Sequence, residues 1–275
     1  MTKQTCPVCG AAAVTTAMDL LECGGCGLAF RAEKYFGTPA YSPGLADGIY
    51  VSAKAALFSG ALDFLSTVVP DKGRLLDIGC AGGELLQAAA ARGWSGEGVE
   101  LDPQLAAKAV AGGLKVHRLP VEKAGLERSS FGAVTVFEVF CLMDKPAAAA
   151  AELFHLLKPG GFIYIRDFNA AFHLPLYRME ELGLFAFLGA SPSVIHNFNF
   201  RAKTLKVLLE RAGFRDIRIR NSRPTAGDPY RTGGRLGGFL PGALKVLYYW
   251  LAQALRGLTL GRVFAGSALI VTARK

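Results

Sequence analysis

The chain has 275 residues, a net charge of +9 at pH 7 and 51% hydrophobic residues. Its length allows one large domain with an appendage and a substantial buried core. No segment reaches the ~20 consecutive apolar residues of a membrane span, and the N-terminus lacks the pattern of a secretory signal, so we expect a cytoplasmic protein. The positive charge permits anionic partners, but no run of five Lys or Arg residues specifies one.

Two C-x-x-C pairs near the N-terminus, thirteen residues apart, predict a metal site. Four thiolates at this spacing can close a tetrahedral zinc site. Redox dithiols and chance are the alternatives, but a disulfide is uncommon in the cytosol and a redox motif would not be duplicated. Because all four positions are thiolates, the metal should be structural. We therefore predict a zinc ribbon over residues 1–30, with the ligands Cys6, Cys9, Cys23 and Cys26.

Residues 31–70 predict an irregular connector followed by a leading helix over 52–69, whose apolar residues recur at helical spacing. Strands and helices then alternate. The predicted strands cover residues 74–78, 96–100, 115–118, 133–139 and 162–168, and the predicted helices cover residues 83–92, 103–111 and 147–157. This alternation indicates a doubly wound α/β fold, in which a parallel sheet carries helices on both faces. Its ligand is expected at the carboxyl ends of the strands, where Asp77, Glu100 and Glu138 fall.

An aromatic-rich insertion at residues 169–200 interrupts this alternation. It is either a cap over an apolar or ring-shaped ligand or a helical layer packed for stability, and the sequence leaves both open. A predicted helix at 204–212 and a predicted strand at 214–220 resume the pattern. A loop rich in Gly, Arg and Pro follows at 221–238.

The C-terminal segment, residues 239–275, predicts an apolar helix near 241–257 and a last strand at 267–273. This helix is too short for a membrane span. Its apolar bulk beside Lys245 and Arg256 nevertheless leaves peripheral membrane contact open.

The most informative motif runs from Leu75 to Glu84 and reads LLDIGCAGGE. An apolar strand ends in the acid Asp77, turns through small residues and opens a helix. Such a turn lets a ligand approach the backbone, and the helix start offers unpaired N–H groups. Glu100 ends the next strand, where a carboxylate can accept both hydroxyl protons of a ribose. These residues predict a nucleotide-like cofactor.

A dinucleotide fits this motif poorly, because the G-x-G-x-x-G fingerprint would place glycines at Ala81 and Glu84. Asp77 would also repel a pyrophosphate, whereas it suits a cationic amino-acid group. The motif instead resembles the acid-x-Gly-x-Gly-x-Gly sequence of the class I S-adenosylmethionine-dependent methyltransferases. Asp77, Gly79 and Gly83 match that sequence, and Ala81 replaces its middle glycine.

The resemblance spans roughly residues 70–220, because residues 131–139, the Leu-Lys-Pro-Gly-Gly turn at 157–161 and residues 208–214 also fit the family. It implies a Rossmann-like, mostly parallel seven-stranded sheet with a final antiparallel strand inserted at one edge. The methyltransferase domain would then cover residues 71–275. The zinc ribbon ahead of it looks like a bacterial subgroup associated with modifying sugars, polysaccharides or secondary metabolites.

The resemblance also implies S-adenosylmethionine as the cofactor. Asp77 and the backbone of residues 79–83 would contact its amino-acid end, Glu100 would bind its ribose, and Glu138 would face its sulfonium side. The full set of implied cofactor-binding residues is Asp77, Gly79, Cys80, Ala81, Gly82, Gly83, Glu100, Leu101, Asp102, Val121, Glu122, Phe137 and Glu138.

One departure from the family bears on the mechanism. The subgroup commonly carries an acid–histidine pair just after the fourth strand, where this chain has Phe140 and Cys141. A general base is needed only if the acceptor must lose a proton. The catalytic residues therefore stay open, with Glu138 and His196 as candidates.

Two motifs of base-modifying methyltransferases are absent from the sequence. Residues 137–140 replace the Asn/Asp-Pro-Pro-Tyr tetrad that grips an amine, and Phe140 replaces the proline before a nucleophilic cysteine. We therefore expect a small-molecule or glycan acceptor, methylated at oxygen or carbon. One alternative is an RNA methyltransferase that docks through the zinc ribbon, although the only charged residues of residues 6–26, Asp19 and Glu22, are acidic. The other is a non-catalytic scaffold, which the intact cofactor motif disfavours.

Overall fold

The protein is built on two β-sheets. The structure, a computed structural model, describes residues 4–16, 20–33, 53–189, 191–226 and 239–275. Its strands are β1 (Ala13–Thr15), β2 (Leu20–Cys23), β3 (Ala29–Arg31), β4 (Gly73–Ile78), β5 (Trp94–Val99), β6 (Lys115–His117), β7 (Phe131–Phe137), β8 (Leu157–Phe168), β9 (Phe198–Asn199), β10 (Arg215–Asn221) and β11 (Ala268–Arg274).

Helices cover the larger sheet, and one lies in the aromatic-rich insertion at residues 169–200, a segment called the cap from here on as a name only. They are α1 (Ala55–Val68), α2 (Glu84–Ala90), α3 (Pro103–Ala111), α4 (Pro146–Leu156), α5 (Ala170–Glu181), α6 (Ala202–Ala212) and α7 (Phe239–Leu258). Short 3₁₀ helices lie at Val121–Lys123, Phe140–Leu142 and Ala186–Leu188. The connector residues 34–52 and most of the predicted loop, residues 227–238, lie outside the described residues.

The larger sheet has seven strands in the order β10-β11-β8-β7-β4-β5-β6. Parallel pairing joins β8, β7, β4, β5 and β6, whereas β11 runs antiparallel to both of its neighbours, β8 and β10. The expected mostly parallel sheet with an inserted antiparallel strand is therefore confirmed. The strand order reverses next to β4, and such a switch point opens a crevice at the carboxyl ends of the strands.

Burial on both faces explains why the central strands are so apolar. All seven residues of β7 are buried. Because successive side chains of a strand point to opposite faces, Val134 and Val136 join the apolar cluster under α4 and α6. Ala133 and Phe137 join the cluster under α1 and α2 on the other face.

The predicted start of β8 is wrong by several residues. The sequence predicts a turn at Pro159-Gly160-Gly161 and a strand from 162, but the strand begins at Leu157. Gly160 adopts a left-handed backbone conformation with a φ of +79°, and the pairing with β7 shifts register between Phe131 and Ala133. The turn signal therefore marks a bulge inside a longer strand.

The N-terminal cysteine segment shares its sheet with the cap. Strands β1, β2 and β3 form a small sheet whose fourth strand is β9, from the aromatic-rich insertion. Phe30 on β3 pairs with Phe198 on β9, and their rings stack at 6.4 Å. The hydroxyl of Thr204 on α6 donates to the carbonyl oxygen of Cys26 at 2.9 Å. The ribbon, the cap and α6 therefore pack as one unit.

Candidate active site

The loop between β4 and α2 has little room for side chains. Gly79 has a φ of +70°, and a Cβ there would lie 2.4 Å from Cγ2 of Val139. A Cβ at Gly83 would lie 2.1 Å from Cδ1 of Leu114. Ala81 keeps a left-handed conformation, with a φ of +47°, although it carries a side chain. The replacement of the middle glycine thus leaves the left-handed turn in place.

Glu100 ties this loop to the end of the neighbouring strand. Its carboxylate accepts the N–H of Ala81 at 2.9 Å and the N–H of Asp102 at 2.8 Å. Asp102 in turn caps α3 by accepting the N–H groups of Gln104 and Leu105. The carboxyl ends of β4 and β5 are therefore fixed relative to each other, with Glu100 between them.

Asp77 is a buried acid, and no cation of the described residues is hydrogen-bonded to it. Its carboxylate accepts the hydroxyl proton of Thr135 on β7 at 2.7 Å. Burial raises the pKa of Asp77 to about 7, and the nearby charges of Glu100 and Glu84 act in the same direction. A buried carboxyl of this kind gains free energy when a cationic ligand group approaches it.

Glu138 lies at the centre of a buried ion cluster just beyond β7. Its carboxylate pairs with the Lys54 amine at 2.7 Å and with the Arg166 guanidinium on β8. Arg166 also donates to the Ser222 hydroxyl at 2.8 Å. Glu138 adopts a left-handed backbone conformation, with a φ of +61°, and its N–H donates to the carbonyl oxygen of Arg166 at 2.6 Å.

The charge balance of this cluster determines the state of Lys54. Two cations share one carboxylate where water is excluded, and a guanidinium does not lose its proton in proteins. Burial, with a further effect of the Arg166 charge, lowers the pKa of Lys54 to about 7. The amine is therefore the member of the cluster that gives up a proton near neutral pH.

The remaining predicted cofactor residues spread along the same edge. Val121 is buried and Glu122 is exposed on a 3₁₀ helix after β6, and Leu101 is 58% exposed. Phe137 packs in an aromatic cluster, with its ring centroid 5.1 Å from that of Phe58 and 5.8 Å from that of Tyr164.

Histidines of the cap differ in how their ring nitrogens are used. His173 is fully engaged, because Nδ1 accepts the N–H of Val194 and Nε2 contacts the carbonyl oxygen of Ser267. Nε2 of His196 is buried without a hydrogen-bond partner in the described part of the chain. The His196 ring packs 5.2 Å from the ring of Phe168 at the end of β8. Burial, together with the charge of Arg31, lowers the pKa of His196 to about 4, which keeps the imidazole neutral at pH 7.

Asp167 and Cys141 serve the backbone rather than a ligand. The Asp167 carboxylate accepts the N–H groups of Phe168 and Cys141, and burial raises its pKa to about 6. Cys141 is buried, its thiol donates to the carbonyl oxygen of Glu138, and burial raises its pKa well above the ordinary value. Cys141 is thus an inert thiol.

The four cysteines of the ribbon converge on one point. Their Sγ atoms all lie within 4.8 Å of one another, with 3.6 Å between Cys6 and Cys26 and 3.3 Å between Cys9 and Cys23. A tetrahedral metal with bonds of ~2.3 Å would separate its sulfurs by about 3.8 Å. The cluster therefore has the donor set and the dimensions of a closed tetrahedral metal site.

Comparison with known proteins identifies the family. The profile of the methyltransferase domain family matches residues 50–219. The chain belongs to this family. This match, together with the loop between β4 and α2 (residues 79–83, here called the cofactor loop), makes it an S-adenosylmethionine-dependent methyltransferase.

Similar proteins agree with this assignment. The chain is 29% identical over 193 residues to a protein of Xylella fastidiosa named ubiquinone biosynthesis O-methyltransferase, covering 64% of this chain and 73% of that protein. A protein of the same name from Xanthomonas oryzae is 33% identical over 136 residues, 44% of this chain and 55% of that one.

Solved structures share the fold. An S-adenosylmethionine-dependent methyltransferase from Archaeoglobus fulgidus superposes on this chain with a TM-score of 0.56 at 17% sequence identity. The match covers 84% of this chain and 98% of that one. A second one, from Mesorhizobium loti, gives a TM-score of 0.54 at 20% identity, covering 82% of this chain and 100% of that one.

Sequence reasoning missed two members of the methyltransferase's central ion cluster. Arg166 lies near the end of the predicted strand 162–168, whose first four residues are hydrophobic, and the charged pair Arg166-Asp167 in such a strand is a usable signal of buried charges. Lys54 gave no such signal, because a lysine just ahead of a surface helix is ordinary. Only the packing of α1 against β7 and β8 brings it to Glu138.

Removing the shared carboxylate should cost considerable stability. In a Glu138→Gln variant, two buried cations lose the carboxylate that they share, and we expect the free energy of unfolding to fall by about 3–5 kcal/mol. The matched control is Glu127→Gln, since Glu127 also pairs with an arginine, Arg74, but is 75% exposed. Its effect should stay within about 0.5 kcal/mol. Urea unfolding of both variants measures the difference, and equal effects would contradict a buried cluster.

Proposed function

We propose that this methyltransferase transfers a methyl group to a hydroxyl oxygen on a small aromatic acceptor. The observation that carries the proposal is the neutral His196 imidazole, whose buried Nε2 has no hydrogen-bond partner in the described residues. It packs against Phe168, at the carboxyl end of β8 where a parallel sheet binds its ligand. A neutral ring nitrogen in an apolar, aromatic setting suits an acceptor hydroxyl. The O-methyltransferase names of the similar proteins support oxygen as the target.

We also propose how the carboxyl edge holds the cofactor. S-adenosylmethionine, when bound, supplies a methyl group that its sulfonium has already activated. Its amino-acid end is a zwitterion, and the charges of Asp77 and Lys54 lie close enough to affect each other. Asp77 would take the ammonium, Lys54 the carboxylate, and Glu100 the ribose hydroxyls. The other residues that the resemblance implies would line the same crevice.

His196 would act by orienting the acceptor hydroxyl, and the proton that the oxygen loses on gaining the methyl group would leave to solvent rather than stay on His196. A general base works best with a pKa near the operating pH, and burial holds the pKa of His196 at about 4. As a hydrogen-bond acceptor, however, it can fix the hydroxyl oxygen in line with the methyl group. Alignment of the two reacting atoms is the main contribution that an enzyme makes to such a transfer.

A matched pair of ring compounds tests the target atom. We expect catechol to stimulate formation of S-adenosylhomocysteine, measured by mass spectrometry, and 1,2-diaminobenzene to have no effect. His196→Ala should lower kcat/KM for catechol by about tenfold, the worth of one desolvated hydrogen bond, while the affinity for S-adenosylmethionine stays the same. His155→Ala, on the exposed side of α4, serves as the control. Turnover with the diamine or with RNA, but not with catechol, would contradict the proposal.

Asp77 predicts a pH dependence of cofactor affinity. Below pH 7 the buried carboxyl is protonated, so it must release a proton before it can pair with an ammonium group. The dissociation constant for S-adenosylmethionine should therefore fall as the pH rises from 6 to about 7, and it should rise again at higher pH, where the Lys54 amine loses its proton. Isothermal titration calorimetry on the wild type, Thr135→Val and Asp77→Asn measures this dissociation constant at each pH. Thr135→Val, which removes a hydrogen bond to the charged form, should move the change to higher pH. Asp77→Asn should bind S-adenosylmethionine weakly, and its dissociation constant should lack the fall between pH 6 and about 7. A wild-type dissociation constant that does not vary with pH would contradict the pairing of Asp77 with the ammonium group.

We further propose that the four-cysteine cluster holds a structural zinc ion. Elemental analysis should find one zinc per chain in the wild type and in Cys141→Ser, but none in Cys26→Ser. Because β9 belongs to the ribbon sheet, chelation should increase hydrogen exchange in residues 20–33 and in β9, while β4, β5 and β7 stay protected. Unchanged exchange in the ribbon after metal removal would contradict a structural role.

A further inference from the structure

Helix α7 presents an unusual surface to solvent. From residue 243 to 258, every exposed residue of the helix is apolar or glycine. The larger members of this surface, here called the α7 face, are Leu244, Leu247, Trp250, Leu251, Leu255 and Leu258. Trp250 is 63% exposed and Leu258 is 84% exposed. Contiguous apolar surface of this kind marks an interaction site in a natural protein.

Polar side chains of the helix point the other way. Tyr248 donates its hydroxyl proton to the carbonyl oxygen of Ala265, and Gln253 donates to the Tyr249 hydroxyl at 2.8 Å. Lys245 and Arg256 are both partly buried on the protein side. A surface helix normally buries its apolar stripe and exposes its polar one. Here the arrangement is reversed, so packing among the described residues does not account for the α7 face.

The helix lies at the same edge of the sheet as the cofactor loop. The Asn221 side chain at the end of β10 donates to the carbonyl oxygen of Ala252 on α7 at 3.1 Å. Asn221 pairs with Leu269 of β11, and Leu269 pairs with Asp167 at the carboxyl end of β8. Asn221 therefore lies at the carboxyl edge of the parallel strands. The ring of Tyr248 also packs 4.7 Å from that of Phe172 in the cap. The α7 face therefore borders the side on which the acceptor would enter.

The charges around the face select its partner. No Asp or Glu occurs between residues 229 and 275. The charged side chains on or just after the helix are Lys245, Arg256 and the exposed Arg262, all cationic. Because Lys245 and Arg256 point to the protein side, the exposed Arg262 is the cation available just after the face, and a dimer formed through the face would bring no acid of residues 229–275 to pair with it. Anionic lipid headgroups would instead neutralise Arg262 while the acyl chains cover the leucines.

We propose that the α7 face docks on a lipid bilayer that contains anionic headgroups. No described helix is long and apolar enough to cross a membrane, so α7 would lie along the surface with its leucines and Trp250 among the upper acyl chains. Resting on the proposed O-methylation, this placement would turn the acceptor entrance toward the bilayer. The acceptor would then be an amphiphile that partitions into the membrane.

Vesicle binding without any acceptor tests the docking independently of the proposed reaction. Full-length protein should cosediment with vesicles of equimolar phosphatidylcholine and phosphatidylglycerol, more strongly than with pure phosphatidylcholine, and salt should weaken the binding. A Leu247→Glu/Leu251→Glu variant should lose about tenfold or more in partition coefficient. The control is Val14→Glu/Val110→Glu, which adds the same charge at positions 66% and 52% exposed elsewhere; it should bind within about twofold of the wild type.

Three results would overturn the docking proposal. One is absence of wild-type cosedimentation with the anionic vesicles, and another is equal binding by both double variants. The third is a wild-type dimer in analytical ultracentrifugation that the Leu247→Glu/Leu251→Glu variant converts to a monomer, which would assign the face to a second copy of the chain. If that variant loses its circular dichroism spectrum, the dependence of wild-type binding on phosphatidylglycerol decides the question alone.

Discussion

The arrangement of the active-site edge depends on one buried carboxylate shared by two cations. Glu138 holds Lys54, which precedes α1, and Arg166, which belongs to β8. Glu138 itself follows β7, so the cluster joins the leading helix to two central strands. Each of these charges would be unfavourable alone in the interior. Together they fix the start of α1 against β7 and β8, and they leave an amine whose pKa burial lowers.

The ribbon and the cap extend this edge toward the acceptor. The cysteine cluster joins the turn before β1 to the turn between β2 and β3, and β3 pairs with β9 of the cap. His196 lies just before β9, where its N–H donates to the side chain of Asn199 at 3.0 Å. A metal in the ribbon would therefore act on the acceptor side of the site through backbone pairing, without touching the acceptor.

Local patterns were enough to predict the scaffold, whereas long-range contacts were not. Two features encode their structure within a few residues, the strand–turn–helix at Asp77 to Gly83 and the cysteine pairs. The turn in the first and the clustering of the thiols in the second could therefore be predicted. The ion cluster joins positions 54, 138 and 166, which only the packed sheet brings together. The start of β8 was missed because a Pro-Gly-Gly turn and a strand bulge use the same residues. The exposure of the apolar side of α7 was also beyond prediction. The spacing of apolar residues in the sequence shows that they form a stripe along the helix, but it does not show which side of the helix faces the protein.

Direct titration of Lys54 tests the shared-carboxylate cluster most directly. Lysine side chains labelled with carbon-13 report their own protonation by NMR, and a Lys54→Arg variant assigns the resonance. We expect Lys54 to titrate near neutral pH, well below the ordinary lysine value of 10.5. A Lys54 resonance that titrates with the surface lysines would contradict a buried amine that shares its carboxylate with Arg166, because it would show that the amine is either solvated or fully compensated by Glu138.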